Sequence, residues 1–123
     1  MENKTVRELI LNFYKEVFQN RDLSEIDKYM HDSYIQHNAE VKNGKSGFLE
    51  FAEGFLALEP RFDIVKLICE DDMAVVFFKC TIGDSVHKVV DIYRIEDGRL
   101  AEHWDCREGN VSEYSSLNGN SVF

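Results

Sequence analysis

The chain has 123 residues, enough for one domain with a real hydrophobic core and too few for two ordinary ones. Apolar residues make up 44% and charged residues 30%, an ordinary globular composition rather than a disordered one. Asp and Glu number 23 against 14 Lys and Arg, a net charge of −9 that argues against nucleic acid and against an anionic membrane surface as partners.

No apolar run approaches the roughly 20 residues of a membrane span. Met1–Thr5 lacks the basic and apolar regions of a signal peptide. Cys69, Cys80 and Cys106 show no CxxC spacing and read as three reduced thiols, which suits the cytoplasm.

In chain order, Val6, Leu9, Ile10, Phe13, Tyr14, Val17 and Phe18 form the stripe of an amphipathic helix. Thr5 with Glu8 is a capping-box pattern that places its start near Thr5. A second short helix is expected from Asp22, with Leu23, Ile26, Tyr29 and Met30 as its apolar face. His31 to Asn38 reads as a short strand, and Asn43-Gly44 as a turn. Phe48, Phe51, Ala52, Phe55 and Leu58 define a third helix, ended by Pro60, the only proline.

Beyond Pro60 the chain reads as strand: Arg61–Glu70, Met73–Ile82, Val86–Ile95 and Arg99–Arg107. The separators Asp71-Asp72, Gly83-Asp84 and Glu96-Asp97-Gly98 are short enough to imply hairpins in an antiparallel meander. Helices first and strands last give an α+β class. The expected architecture is three N-terminal helices packed in a strongly curved, mostly antiparallel sheet of four strands, leaving a cone-shaped cavity. Residues 1–109 form the domain. Asn110–Ser121, rich in Ser, Asn and Gly, opens a polar tail over 110–123, either mobile or laid over a neighbour.

The last hairpin carries the functional argument. A tight Asp97-Gly98 turn pairs Glu96 with Arg99 and separates Asp91 from the polar residues across from it. A bulged turn pairs Ile95 with Arg99 and sets Asp91 opposite His103. The bulged form is favoured, because it collects Asp91, Tyr93, His103 and Asp105 on one face. Val90, Ile92, Leu100 and Trp104 then share the other. Upstream, a type II′ turn at Gly83-Asp84 brings Val76, Phe78 and Cys80 to the cavity. A one-residue slip would substitute Phe77 and Lys79, a less apolar set that puts Lys79 near Asp105.

Two carboxylates and an imidazole on rigid strands suit general acid/base work. Asp91 and Asp105 facing water, with Trp104 and Ile92 buried, is the competing reading of the same alternation. His37, His103, Asp91 and Asp105 are also metal-ligand types, but no HxH or HExxH spacing supports a metal. His31 and His87 read as surface residues.

At these residues a family comes into view. "YIQHN" at Tyr34–Asn38, the Asn43-Gly44 turn before a helix, and "VVDIYRIEDGRLAEHWD" at Val89–Asp105 together resemble the SnoaL-like group of the nuclear transport factor 2-like superfamily. The resemblance spans roughly residues 5–107. It implies the helix-and-curved-sheet cone, and in the polyketide-cyclase members an aldol condensation without metal or organic cofactor. It also implies an acid/base aspartate in the last strand, which Asp105 matches. The cyclases' assisting histidine falls at Asp91 here, with His103 across the strand pair as a substitute. His37 and Asn38 match the pocket-lining stretch, although a regular strand can point only one of two neighbours inward. Ala39 stands where related members often have Pro.

The resulting expectation is a cofactor-free, metal-free enzyme acting on a small apolar or carbonyl-containing molecule by intramolecular aldol cyclisation or isomerisation. Asp105 removes a proton beside a carbonyl. His103, with Asn38 or Tyr93, hydrogen-bonds the enolate oxygen, and Asp91 orients His103. Tyr14, Phe13, Phe78 and the phenylalanines of the third helix supply apolar walls, and His37 and Asn38 contact substrate. The alternatives are a non-catalytic small-molecule binder and a dimeric interaction module. A homodimer through the outer sheet face is expected in each case.

Overall fold

The structure is a computed structural model that describes residues 3–112 and 116–123. Residues 1 and 2, where a signal peptide was sought, and 113–115 of the expected tail lie outside the described residues. Helix α1 (Asn3–Phe13) buries Val6, Ile10 and Phe13 completely, as its apolar stripe requires. It begins before Thr5, so Thr5 lies within the first turn rather than capping it. From Tyr14 to Gln19 the helix widens into π geometry, and the Asn20 N–H reaches the Lys15 carbonyl at 2.9 Å. Such widenings frequently occur at functional sites.

The expected second helix is a single 3₁₀ turn, Ile26–Lys28. Asp22 spends its side chain on the Ser24 N–H (2.9 Å) and hydroxyl, closing a local turn instead of starting a helix. Met30, assigned to that helix, opens strand β1 (Met30–Gln36). Helix α2 (Gly44–Leu56) follows Asn43-Gly44, with Gly44 at φ +79°. It buries Phe48, Ala52 and Leu56, while Phe51 and Leu58 of the expected face are exposed. There are thus two α-helices, not three, among the described residues.

The four strands after Pro60 are β2 (Arg61–Glu70), β3 (Met73–Ile82), β4 (Ser85–Glu96) and β5 (Arg99–Glu108). β1 joins them, so the sheet has five strands in the order β1-β5-β4-β3-β2. The β1–β5 pairing is parallel and the other three are antiparallel. In β3, Ala74, Val76, Phe78 and Cys80 point into the core, the even set. Gly83 supplies the positive φ of +58° that a type II′ turn needs at its first central position.

The β4–β5 hairpin corrects the expected turn and keeps the expected face. Its turn is tight: Glu96 pairs with Arg99, and Asp97 and Gly98 both have positive φ (49° and 75°). The bulge lies further along, where Ala101 is left without a partner between the Ile95–Leu100 and Arg94–Glu102 pairs. One extra residue restores the parity that the tight turn alone would lose. Asp91, Tyr93, His103 and Asp105 therefore share the inner face, with Asp91 opposite Asp105 and Tyr93 opposite His103. Leu100, expected on the outer face, is fully buried, because it precedes the bulge.

The described end of the tail lies on the outer face, where the Phe123 ring stacks on Phe77 at 6.1 Å. Cys69, Cys80 and Cys106 are all free.

Two glycines of α2 give opposite expectations. A Cβ on Gly47 would sit 1.9 Å from the Lys42 carbonyl oxygen, whereas Gly54 has open space around it. Gly47→Ala should cost about 2 kcal/mol or more in urea unfolding. Gly54→Ala should stabilise by about 0.5–1 kcal/mol.

Candidate functional site

A cavity of about 510 Å³ opens between α2, the start of the loop after β1, and the inner face of β3–β5. Phe18, Phe48, Phe62 and Phe78 form much of its apolar wall, and Asp91, Tyr93, His103 and Asp105 share its lining with Gln36 and Asn38.

Asp91 is the most constrained group. It is buried, and its Oδ2 accepts a hydrogen bond from the Tyr14 hydroxyl and another from the Tyr93 hydroxyl at 3.2 Å. The two phenol oxygens are 3.0 Å apart. Tyr14 belongs to the π-helical turn and stands behind the cavity rather than lining it. Burial first, and the Asp91 charge second, push the Tyr14, Tyr34 and Tyr93 hydroxyls well above the usual phenol range, so all three stay protonated donors at neutral pH.

The other oxygen, Asp91 Oδ1, faces His103 Nε2 at 3.0 Å. The tautomer of His103 follows from one main-chain donor. The Asn38 N–H donates to Gln36 Oε1 at 3.0 Å, which fixes that atom as an acceptor. His103 Nδ1 lies 2.7 Å from the same oxygen and must therefore carry a proton. A hydrogen bond between Nε2 and Asp91 Oδ1 then needs one more proton, shared by the pair.

The Glu40 N–H donates to Asn38 Oδ1 at 2.9 Å and so turns the Asn38 amide nitrogen towards Asp105. That nitrogen donates to Asp105 Oδ2 at 2.8 Å, an oxygen 4.0 Å from His103 Nε2. Asp105 is only partly buried and lines the cavity, so a ligand can reach it.

Asp91, His103 and Asp105 each offer a ligand atom within 4.8 Å of the others, a spacing a metal ion could bridge. Their donor set fits one only in part, because Asp91 already accepts from two phenols and lies 3.0 Å from His103 Nε2.

Of the residues expected at the site, Asp91, His103, Asp105, Tyr93, Phe78 and Asn38 line the cavity together. His37 does not. Its ring stacks on Trp104 at 4.9 Å and meets Glu102 Oε2 at 2.7 Å on the outer face. The expected surface residue His87 is half-buried and lines the cavity, and His31 meets the Glu96 carbonyl oxygen at 2.6 Å. Tyr34, Gln36 and Arg107 also line the cavity, although the sequence pattern did not assign them to the site. Period two through Tyr34, Gln36 and Asn38 is the signal that finds the first two and excludes His37.

The family model described as a SnoaL-like domain matches residues 10–103. No curated protein matches the chain in sequence. Among solved structures, TsrD from Streptomyces laurentii is 21% identical, with 88% of this chain and 91% of that chain covered and a TM-score of 0.75. A candidate polyketide cyclase from Acidithiobacillus ferrooxidans is 18% identical, with 85% and 88% covered and a TM-score of 0.73. A candidate ketosteroid isomerase from Kribbella flavida is 18% identical, with 84% and 77% covered and a TM-score of 0.74. At these identities the likeness concerns the fold alone.

The raised phenol ionisations predict an alkaline limit to stability. A folded-state pKa above the unfolded value stabilises fully below that unfolded value, about 10 for tyrosine, and is lost as pH rises beyond it. Urea midpoints should therefore fall from about pH 10 upward. Tyr14→Phe should flatten that fall by about 1.4 kcal/mol per pH unit, one proton's worth, beyond any offset in stability it causes.

Proposed function

The chain belongs to the SnoaL-like domain family, and from that premise we propose that it is a cofactor-free enzyme acting on a small carbonyl compound by aspartate acid/base chemistry. The observation that carries this reading is the division of labour between the two carboxylates. Asp91 is saturated by Tyr14, Tyr93 and His103, whereas Asp105 faces the cavity with one hydrogen-bond partner, Asn38, among the described residues and with His103 Nε2 4.0 Å away.

In this reading the helices and sheet enclose a cone-shaped cavity that binds the substrate and excludes water. Asp105 takes a proton from carbon beside the carbonyl, and the C–H electron pair moves onto the carbonyl oxygen as an enolate. The proton shared by His103 and Asp91 lies next to that position and stabilises the developing negative charge. The enolate carbon then attacks a second carbonyl of the same molecule, and the oxygen of that carbonyl takes back the proton from Asp105, which gives an aldol ring. Alternatively, Asp105 returns its proton to a different carbon, which gives an isomer. Gln36 holds the His103 ring, and Asn38 positions Asp105 rather than touching the enolate. The names of the cyclase and isomerase neighbours favour this pair of reactions.

The test needs no natural substrate. Proton abstraction from 2-tetralone in D₂O is read by NMR as deuterium uptake beside the carbonyl. Wild-type protein should accelerate uptake over buffer, and Asp105→Asn should lower that rate by about 10²–10⁴-fold. Saturable binding of 2-tetralone without any acceleration would leave a non-catalytic binder instead.

The same proposal includes a homodimer through the outer sheet face. Val90, Ile92 and Trp104 are half-buried there, and Ile68 is 59% exposed. Sedimentation at micromolar concentration should give twice the 14.3 kDa chain mass, and Ile92→Lys should shift it to the monomer. A wild-type monomer would contradict this part.

A further inference from the structure

The cavity is electrically lopsided. At one end the inner face carries Asp91 and Asp105. Two residues along the same strand, about 7 Å at strand rise, comes Arg107, which pairs across the sheet with Val89. Among the described residues lining the cavity, Arg107 is the only Lys or Arg, against the carboxylates of Glu40, Asp91 and Asp105. Among the described residues, no salt bridge or hydrogen bond engages its guanidinium, although the chain carries nine more negative than positive charges. Cys80, on the neighbouring inner rows, senses both ends. Burial first and the Asp91 charge second raise its thiol to about 11, against the opposing charge of Arg107.

A neutral ligand makes no use of this arrangement. An anion would be repelled by the carboxylate end and could settle only against the guanidinium, which matches a carboxylate with two parallel hydrogen bonds. We propose that the substrate is a keto acid with an apolar or aromatic body, whose carboxylate is held by Arg107 while the carbon beside its ketone lies against Asp105. This rests on the acid/base reading of the same cavity and names the class of molecule it accepts. The phenylalanine wall takes the apolar body. Arg107 fixes which end of the molecule meets Asp105, so it determines specificity rather than carrying chemistry.

The test compares two probes of one shape by isothermal titration calorimetry at low salt: 4-oxo-4-phenylbutanoate and its neutral primary amide. Wild-type protein should bind the acid about fivefold more tightly than the amide, as a partly exposed ion pair allows. Arg107→Met should erase that difference while leaving the affinity for the amide unchanged, which also serves as the control for folding. Equal affinities in the wild type, or a preference for the acid that survives Arg107→Met, would overturn the assignment while leaving the acid/base reading intact. If neither probe binds, both the keto-acid assignment and the reading of the cavity as a carbonyl site fall.

Discussion

A carboxylate withdrawn from water is costly unless it is fully hydrogen-bonded, and the burial of Asp91 sets terms that the surrounding structure meets. Its partners come from three separate elements. Tyr14 arrives from the π-widened end of the first helix, Tyr93 from the same strand, and His103 from the strand beside it. Each phenol is held protonated by burial and by the Asp91 charge, so the donors cannot be lost near neutral pH. Satisfying Asp91 in this way leaves Asp105 as the carboxylate that meets the cavity. Two chemically identical side chains, directly opposite each other on adjacent strands, thereby have different hydrogen-bonding surroundings.

The parallel pairing of β1 with β5 is the second requirement. It lays Tyr34, Gln36 and Asn38 beside the His103–Asp105 segment. Main-chain N–H groups can only donate, so the Asn38 and Glu40 amides fix the orientations of the Gln36 and Asn38 side chains. Those orientations in turn fix a proton on His103 Nδ1 and aim a donor at Asp105. The chain of cause runs from loop backbone to side-chain amide to imidazole.

Much of this was legible in the sequence. Period two and short separators located β2 and β3 to the residue, and period 3.6 located the buried face of α1. The inner-face quartet was also readable, although for an incorrect reason: the bulge that preserves its parity sits at Ala101, not in the turn. Local turn chemistry favoured Asp97-Gly98 as a tight hairpin, and only the packing of Leu100 and Ala101 into the core reveals where the extra residue goes. The missing second helix reflects competition from the Asp22–Ser24 turn, which propensity does not weigh. β1's place at the edge beside β5 depends on contacts far apart in sequence, and with it went Gln36's role and His37's outward direction.

The measurement that tests this account most directly is the protonation state of the His103 ring nitrogens, read from long-range ¹H–¹⁵N correlation spectra at neutral pH. Nδ1 should resonate as a protonated nitrogen, with a slowly exchanging proton held against Gln36. In Gln36→Leu that proton should lose its protection. An unprotonated Nδ1 in the wild-type protein would contradict the hydrogen-bond chain, and with it the pairing of His103 and Asp91 on which the proposed role of Asp105 rests.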